Sequence, residues 1–510
     1  MSESKRTTGR RDPVFIISLI LVITLVVVGF VWPERLDHWT RSAHGAVIEH
    51  VGFSYLLAAF AFLVFCVYMA FSRYGTIRLG NDEEKPQYGY FAWFSMLFAA
   101  GMGIGLIFWG VAEPLTHLAA PPEYLEAGSG EAAAFAMRQS FFHWGIHPWA
   151  IYLVMSLSIA YFSFRRGMPP LISSCFYPLI GDRIYGWPGK AIDILAVFAT
   201  VFGVATSLGL GALQIGGGLN AVFGLAEGIG LTLTIIAVVT VLYLISSMTG
   251  LDKGIQILSK TNVLVALALM TFVLVVGPTS YIFSIFTDTL GQYGTQLISL
   301  SLASSPFEGA AWTQDWTIFY WAWWISWSPF VGLFVASISR GRTIREFILG
   351  ALLVPAGLTF LWFSVFGGAG LHLQLHQGAS VAQSALADAS GALFEVLAAY
   401  PLASVTSLLS IVLLSVFFIT SADSATFVIA MMTSRGSFSP PAIKKIGWGL
   451  IQSSAAAVLL VSGGLEALQR MAILAALPFM FVMLFMMRGL LKALRYEFRY
   501  ERPSGLKNRI

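Results

Sequence analysis

The sequence predicts an all-α integral membrane protein with twelve transmembrane helices. Hydrophobic residues fill 57% of its 510 positions, charged residues fill only 11%, and the mean hydropathy is +0.76. Soluble globular domains are far more polar than this. A helix crosses the hydrocarbon core with about 20 apolar residues, and such runs occur at 13–32, 52–72, 90–112, 141–164, 191–218, 228–249, 261–283, 316–338, 347–370, 402–432, 446–464 and 468–488.

The basic residues orient the predicted helices. With the N-terminus in the cytoplasm, 26 of the 30 Lys and Arg residues fall on the inner side of the membrane. Cytoplasmic loops of membrane proteins carry an excess of this kind, so both termini are predicted to be cytoplasmic. The four basic residues on the outer side are Arg35, Arg41, Arg138 and Arg470.

Both ends of the chain are predicted to be short cytoplasmic tails, residues 1–12 and 489–510. The C-terminal tail is basic and is predicted to touch anionic lipid, although the same charges also serve as an ordinary topology signal. The net charge of +4 follows from the loop bias and does not indicate a nucleic-acid partner. The first run lacks a small-residue cleavage site, so it is predicted to be a retained helix.

Two predicted helices contain residues that weaken a membrane helix. In the third, Gly101, Gly103 and Gly105 alternate within FAAGMGIGLIFWG, and each glycine costs about 1 kcal/mol relative to Ala. The eighth carries Pro329, which removes a backbone donor. Interrupted helices five spans apart, with backbone freed at the membrane midplane, are typical of inverted-repeat transporters.

The positions of these interruptions predict how the twelve-helix domain, residues 13–488, is organised. Repeat one covers 90–283 and repeat two covers 316–488, while the first two helices are additions. Within 284–315 the apolar residues recur at nearly helical spacing, which predicts an amphipathic helix along the membrane surface. Substrate and ion sites are expected beside the two interrupted helices.

Aromatic residues concentrate on two of the predicted helices. Five tryptophans occur within residues 316–327, WTIFYWAWWISW. At 100° per residue, Trp323, Trp324 and Trp327 share one face of the eighth helix. The residues that form a second predicted arc, in the fourth helix, are Trp144, Trp149 and Tyr152.

Two aromatic faces on different helices can enclose a quaternary ammonium group. Such a cation offers no N–H group, and each ring face that contacts it stabilises it by about 0.5 to 2 kcal/mol. The alternative is that these rings form an interfacial belt or only pack against their neighbours. A belt would scatter aromatic residues near both helix ends, whereas this cluster lies on one arc beside a proline. The pattern therefore favours a binding cage.

Hydroxyl groups in the tenth helix are candidate ligands for a small hard cation such as sodium. Thr420 and Ser421 are adjacent in SVFFITSADSATF, and their oxygens are of the type that binds sodium. Asp423 follows them, and acidic residues within a membrane span indicate function. The alternative is that the hydroxyl groups bond back to their own helix, and these residues alone do not decide between the two.

No arrangement of residues indicates catalysis, so the protein is not predicted to be an enzyme. His143 and His147 have the i, i+4 spacing of a metal pair. They have no evident third ligand, however, and Pro148 disturbs the turn, so they are interpreted as packing or lining residues. The two cysteines, Cys66 and Cys175, lack metal-ligand spacing. No cofactor is expected beyond a coupling ion.

Several segments resemble the betaine/choline/carnitine transporter family, and the resemblance runs over nearly the whole chain. They are WTIFYWAWWISWSPFVG followed by ISRGRTIREF, GMGIGL with the pair Glu113 and Pro114, SLGLGALQIG, and FFITSADS. The resemblance implies a LeuT-like fold of two inverted five-helix repeats, in a homotrimer. It also implies an importer of trimethylammonium or related onium compounds in the bacterial inner membrane, often for osmoprotection.

The resemblance assigns roles to individual residues. The family's aromatic box corresponds to the six aromatic residues of the two arcs, beside Met102, Gly103 and Gly105 of the glycine run. Backbone oxygens and hydroxyl groups form the family's sodium site, and this metal ion is the only one that the resemblance implies. The corresponding residues are Ala99, Met102, Phe417, Thr420 and Ser421.

Two positions depart from patterns within the family. Choline carriers tend to have Asp at the position of Gly105, so a zwitterion such as glycine betaine, whose carboxylate meets backbone N–H groups, is the better match. Members with a second sodium site have two hydroxyl groups one turn apart, whereas here Thr200 is followed by Val204. Phe330, the other element of that site, is present. A second cation site at Thr200 and Phe330 is therefore an open prediction, with Thr206 as a substitute ligand.

The sequence thus predicts a sodium-coupled importer of glycine betaine or a close analogue that works by alternating access. Three alternatives stay open, namely a proton-coupled onium carrier, an ion-independent exchanger and an osmosensing receptor. The substrate of such a carrier or exchanger would be choline, carnitine or a sulfonium compound.

Overall fold

The structure, a computed structural model, is built from α-helices. The residues that it describes are 12–101, 103–249, 252–307 and 309–501. Within those ranges there is no β-strand, and the one extended pairing is an isolated bridge between Arg78 and Thr343.

Nineteen α-helices follow one another in the described ranges. The first ten are α1 (Pro13–Val31), α2 (Pro33–Val51), α3 (Phe53–Phe71), α4 (Tyr90–Gly101), α5 (Ile104–Ala119), α6 (Gly130–Trp144), α7 (Ile146–Ala160), α8 (Tyr177–Ile180), α9 (Trp187–Phe223) and α10 (Ile229–Thr249). The others are α11 (Asp252–Val276), α12 (Thr279–Ser301), α13 (Ala310–Thr313), α14 (Phe319–Ser337), α15 (Ile344–His376), α16 (Val381–Ala387), α17 (Ala392–Ala398), α18 (Ala403–Met432) and α19 (Ala442–Tyr496).

Many of these helices are long and apolar enough to cross a membrane. Nine helical segments of the described chain pass that test, and the number is ten if α11 and α12, which meet at a bend of 110°, count as one span. A bundle of this kind satisfies its backbone polar groups internally, as a hydrocarbon environment requires. The prediction of an all-α, multi-pass membrane protein is therefore confirmed.

Two segments occupy the centre of the bundle. One contains α6 and α7, and the other contains α14. In the most apolar stretch of each, 94% of the residues are buried, whereas the corresponding value for α1 is 22%. Helix α14 packs against α7, α9 and α19. At one crossing, a β-carbon on Gly203 of α9 would lie only 2.7 Å from the carbonyl carbon of Ser326 in α14. Glycine therefore permits the close backbone approach that is common between membrane helices.

The glycine run of the third predicted span interrupts the helix. Helix α4 ends at Gly101 and α5 begins at Ile104. Between them, Gly103 has φ −64° and ψ −117°, which are not helical values. The predicted interruption is confirmed. It leaves backbone groups without intrahelical partners next to α18, because Gly103 faces Phe417 and Ser421.

The interruption expected at Pro329 is wrong, because α14 continues through this residue from Phe319 to Ser337. Proline removes the donor that would serve the carbonyl group four residues earlier, at Ile325. The hydroxyl group of Ser328 donates to that carbonyl oxygen at 2.8 Å. A neighbouring side chain thus satisfies the freed acceptor, and the helix does not need to unwind.

A break that the sequence analysis did not anticipate separates α6 from α7. Gly145 has φ −86° and ψ −131°. The N–H group of the next residue, Ile146, donates to the hydroxyl oxygen of Tyr293 in α12 at 3.2 Å. Pro148 fits here because it lies in the first turn of α7, where backbone donors have no helical partner. Helix α12, which begins at Thr279 and overlaps the segment 284–315 predicted to lie along the membrane surface, thus contacts the bundle at this break.

The last helix, α19, contains a sharp turn at Gly463 and Gly464. Gly464 has φ +63°, in the left-handed region that favours glycine. Arg470, which follows the turn, forms an ion pair with Asp37 of the polar helix α2 and a second one with Glu466 at 3.0 Å. The turn divides α19 into two helical segments, each long enough to span a membrane.

Candidate functional site

A small cavity lies where α5, α6, α9, α14 and α18 meet. Its volume is about 20 Å³, which is room for about one water molecule. The trimethylammonium group predicted from the sequence is larger than this space, so it would fit only after the walls had separated by side-chain rotation or helix movement. The residues that line the cavity are Gly103, Ile104, Gly105, Trp144, Ser207, Trp323, Trp324, Trp327 and Ser421.

Four indole rings from two helices form the aromatic side of this cavity. Trp323 and Trp324 stack with their ring centroids 4.5 Å apart. Trp144 of α6 meets Trp324 edge-on at 4.9 Å, and Trp327 meets Trp323 edge-on at 6.4 Å. The indole N–H group of Trp324 donates to the carbonyl oxygen of His143 at 3.1 Å, which fixes one ring of α14 to the end of α6.

Gly105 closes the cavity on the side of α5, and its lack of a side chain is required there. A β-carbon at this position would lie 2.6 Å from the Cη2 atom of Trp323 and 2.9 Å from that of Trp144. Both distances are shorter than a carbon–carbon contact allows. The glycine therefore lets two indole rings from different helices come together.

Gly105→Ala is expected to lower the affinity for the onium substrate that the sequence predicts by about tenfold or more, because the added methyl group fills space between Trp323 and Trp144 that this substrate would need. Gly230→Ala is the matched control, since a β-carbon there meets no atom within 4 Å. Equilibrium binding of labelled glycine betaine to the purified variants measures the effect. Equal affinities in the two variants would contradict this account of Gly105.

The remaining two predicted aromatic residues lie behind the cavity and do not line it. The ring of Tyr152 meets Trp324 edge-on at 6.2 Å, and Trp149 meets Tyr152 edge-on at 5.8 Å. The helical wheel assumed one continuous helix, whereas the break at Gly145 separates Trp144 from both of these residues. The Nε1 atom of Trp149 and the hydroxyl oxygen of Tyr152 are buried without a hydrogen-bond partner. Their part in binding stays a prediction.

The residues predicted to bind sodium are only partly brought together. Ser421 lines the cavity, and its Oγ atom and the ring of Phe417 both lie 3.6 Å from the position of a β-carbon on Gly103. The hydroxyl group of Thr420 donates to the carbonyl oxygen of Val416 at 2.9 Å, which is the alternative that the sequence left open. Met102 lies outside the described residues, and only the helical backbone of Ala99 is described.

At the predicted second cation site, the hydroxyl groups of Thr200 and of its substitute Thr206 both donate to carbonyl oxygens of their own helix. Thr200 donates to the carbonyl oxygen of Ala196 at 2.7 Å. Thr206 donates to Phe202 at 2.9 Å and reaches the carbonyl oxygen of Leu468 in α19 at 3.3 Å. Val204 is buried, and Phe330 meets Trp327 edge-on at 5.3 Å. A second sodium at this place stays a prediction.

A buried carboxylate behind the cavity is a residue that the sequence analysis did not assign to the site. Glu113 of α5 is fully buried. Its Oε1 atom lies 2.7 Å from His143 Nδ1 and 3.2 Å from His117 Nε2, while Oε2 accepts from Trp144 Nε1 at 2.7 Å and from the hydroxyl group of Tyr320. The rule that an acid within a span indicates function was applied to Asp423, whereas the third predicted span ended at residue 112, one position before Glu113. In the structure α5 continues to Ala119, so Glu113 lies inside a helix.

The two histidines at i, i+4 spacing point to different partners. His143 joins Glu113 and His117 in a buried cluster whose ligand atoms lie within 4.8 Å of one another. His147 instead bonds the hydroxyl group of Ser301 at 2.9 Å. The third potential ligand that was not evident in the sequence lies beside His143, because Glu113 and His117 both contact it in the structure.

A polytopic helical protein with an aromatic cavity beside a broken helix has the features of a membrane carrier for a small solute. Comparison with known families agrees, since the profile of BCCT, betaine/carnitine/choline family transporter, matches residues 13–499. The chain therefore belongs to the betaine/carnitine/choline transporter family. Its family and its relatives are transporters, so the prediction that it is not an enzyme is confirmed.

Curated relatives cover nearly the full length of the chain. It is 51% identical over 488 residues to the glycine betaine transporter OpuD of Bacillus subtilis, with 95% of each chain covered. It is 44% identical to a probable glycine betaine transporter of Desulfitobacterium hafniense, with 96% of this chain and 98% of the relative covered. It is also 44% identical to an ectoine/hydroxyectoine transporter of Virgibacillus pantothenticus, over 95% and 96% of the two chains.

Proposed function

We propose that this chain is a secondary importer of glycine betaine or a close analogue, coupled to sodium by alternating access and serving osmoprotection. The observation that carries the proposal is the cavity walled by Trp144, Trp323, Trp324 and Trp327. Indole rings are the preferred partners of a methylated cation, which cannot donate a hydrogen bond. Relatives named as glycine betaine transporters support the substrate class.

The composition of the cavity favours a zwitterion over choline. None of the nine described residues that line it carries a carboxylate. Gly105, which lies beside the rings of Trp323 and Trp144, has no side chain at all. A substrate that brings its own carboxylate does not need one from the protein at contact distance. Backbone N–H groups at the helix break around Gly103 are suitable donors to that carboxylate.

The break also supports coupling to sodium. Ser421 and the ring of Phe417 face Gly103, so carbonyl oxygens freed at the break and a hydroxyl group lie on neighbouring helices. In the proposal, sodium binds between α18 and the junction of α4 with α5. The bound ion would connect α18 to this junction, and Gly103 of the junction lines one side of the substrate cavity.

The architecture that we propose has twelve spans in two inverted five-helix repeats. The ten spans counted with α11 and α12 as one become twelve when α4 with α5 forms an interrupted span and α19 counts as two. An even number of spans puts both termini on the same side of the membrane, and the excess of Lys and Arg in the loops on that side indicates the cytoplasmic side of the inner membrane. The family resemblance adds a homotrimer, and light scattering of the purified protein in detergent would test this part.

Uptake into proteoliposomes tests the proposed function. Labelled glycine betaine should accumulate when sodium is higher outside than inside, and accumulation should collapse when the gradient is removed. Accumulation driven by a proton gradient without sodium would point to proton coupling. If labelled substrate enters only in exchange for internal substrate, at a rate that depends on neither the sodium nor the proton gradient, the protein is an exchanger.

Ectoine is the second candidate substrate, because one relative at 44% identity is named an ectoine/hydroxyectoine transporter. Competition for uptake by unlabelled ectoine, choline and carnitine separates these candidates. Glycine betaine should compete at the lowest concentration. If ectoine competes at lower concentrations than glycine betaine, the substrate assignment changes while the transport assignment stands.

A further inference from the structure

The hydrogen bonds around Glu113 define the charge of the cluster that it forms. An ionised carboxylate only accepts hydrogen bonds, and an indole N–H group only donates them. The two oxygens of Glu113 have four neighbours that can donate, from Trp144, Tyr320, His117 and His143. This set of donors fits the ionised form of the carboxylate.

The contacts of the two histidines fit neutral rings, and we take both rings in that form. The Nδ1 atom of His117 is buried without a partner, so a second proton there would leave a buried N–H group unsatisfied. His143 Nε2 lies 2.9 Å from the Oγ1 atom of Thr317, which is buried. A neutral His143 that accepts from Thr317 through Nε2 and donates to Glu113 through Nδ1 satisfies both contacts and the hydroxyl hydrogen.

The cluster thus carries one negative charge inside the bundle. In the described part of the chain, no lysine or arginine lies within 4.0 Å of Glu113, whose ion-pair contacts are to the two histidines. A buried charge without a counter-charge is unfavourable, and it favours any cation that can come close. The cavity with the aromatic wall offers space for a cation, and Trp144, which contacts Glu113, lines it.

Trp144 links this charge to the cavity. Its N–H group donates to Glu113 at 2.7 Å, and the same ring lines the cavity and meets Trp324 edge-on. A hydrogen bond to an anion polarises the donor group, which adds electron density to the indole ring. The face of a more electron-rich ring attracts a cation more strongly.

We propose that Glu113 is the counter-charge of the bound onium group and acts through the indole ring of Trp144, so that it sets the preference of the site for a positively charged head group. This inference rests on the proposed function and adds a positioning and specificity residue that does not touch the substrate. It differs from an Asp at the position of Gly105, which would contact the substrate directly.

The test compares two ligands of the same shape in Glu113→Gln. Glycine betaine has a trimethylammonium group, and 3,3-dimethylbutanoate replaces its nitrogen by carbon and has no positive charge. Both inhibition constants are measured by competition against labelled glycine betaine with the purified full-length protein. The inhibition constant of 3,3-dimethylbutanoate divided by that of glycine betaine is the charge-preference ratio, and it is high when the site prefers the charged head group. We expect Glu113→Gln to lower this ratio by about tenfold or more, because a charge one indole ring away still interacts strongly in a buried site. A purely structural role would weaken both ligands alike and leave the ratio unchanged, which would overturn the inference.

Asp193→Asn is the matched control. Asp193 is a buried carboxylate of α9 that is bonded by the backbone N–H and hydroxyl groups of Ser173, at 2.9 and 2.7 Å. It is not among the residues that line the cavity. The ratio should be unchanged in this variant. An equal fall of the ratio in both variants would also overturn the inference, because the loss of any buried carboxylate would then have the same effect as the loss of Glu113.

Trp144→Phe gives a second measure that does not depend on Glu113→Gln being stable. A phenyl ring keeps an aromatic face but has no N–H group to bond to Glu113, so the ratio should fall in this variant too. When both substitutions are combined, the ratio should fall no further than in the more strongly affected single variant, because both substitutions remove the same hydrogen bond between Glu113 and Trp144. Full additivity, or an unchanged ratio in Trp144→Phe, would contradict the role of the ring. If the unsubstituted protein itself shows no preference for glycine betaine over the isostere, the proposed function has failed as well.

Discussion

Trp327→Leu is expected to weaken the binding of glycine betaine by about tenfold to thirtyfold, because it removes one indole face worth up to about 2 kcal/mol of cation–π stabilisation. Trp327 lines the cavity and meets both Trp323 and Phe330 edge-on. Leucine keeps an apolar surface there but is smaller than tryptophan, so a control of the same type is needed to separate the loss of the aromatic face from the loss of volume. Equilibrium binding to the purified variant, followed by uptake at low substrate concentration, measures it.

Trp321→Leu is the matched control for this experiment. Trp321 is fully buried on the same helix, but it stacks on His147 with the ring centroids 5.1 Å apart and does not line the cavity. Its replacement should lower thermal stability by creating a void, while the affinity of the folded protein for glycine betaine stays within about twofold. A fall in affinity of the same size in both variants would indicate that packing of α14, and not the aromatic wall, determines binding.

Ser421→Ala should raise the sodium concentration needed for half-maximal uptake by about tenfold or more, since one oxygen ligand is lost from a site that must replace the hydration shell of the ion. The affinity for glycine betaine at saturating sodium should change much less. Uptake into proteoliposomes as a function of external sodium measures the first quantity, and binding at high sodium measures the second.

Ser415→Ala is the control on the same helix. Its hydroxyl group donates to the carbonyl oxygen of Ile411 at 2.8 Å, and Ser415 is not among the residues that line the cavity. Sodium dependence should be that of the unsubstituted protein. If Ser421→Ala keeps the original sodium dependence, the proposed place of the ion between α18 and the helix break is wrong.

The sequence alone was sufficient for the membrane class and for one of the helix breaks. Hydropathy identifies long apolar helices because the bilayer core requires them, and the alternating glycines around Gly103 weaken a helix locally. Proline was a less reliable signal. The effect of Pro329 depends on whether its freed acceptor is satisfied, and the hydroxyl group of Ser328 satisfies it. The sequence pattern did not reveal this contact.

The break at Gly145 shows where helical periodicity fails for a site. The wheel placed Trp144, Trp149 and Tyr152 on one arc by assuming a continuous helix. The backbone turns at Gly145, and the hydroxyl group of Tyr293, 147 positions later in the chain, accepts a hydrogen bond from the N–H group of Ile146. A contact between residues so far apart in sequence is set by tertiary structure, and no local pattern contains it.

Glu113 was missed for a related reason. It lay one residue beyond the predicted run 90–112, and its role depends on the donors that surround it. His117 is four residues away on α5, but the other donors come from α6 and from α14, where Tyr320 is 207 positions away. By contrast, Trp323, Trp324 and Trp327 share one continuous helix, so the wheel was sufficient to place them on the same wall of the cavity.

A structure of the purified protein with glycine betaine and sodium bound is the most direct test of the central claim, that indole rings from α6 and α14 hold the methylated ammonium group. We expect the trimethylammonium group to lie between Trp144, Trp323, Trp324 and Trp327, with these rings moved apart from their present positions. Glycine betaine bound elsewhere, with the four indole rings still in mutual contact, would contradict the account.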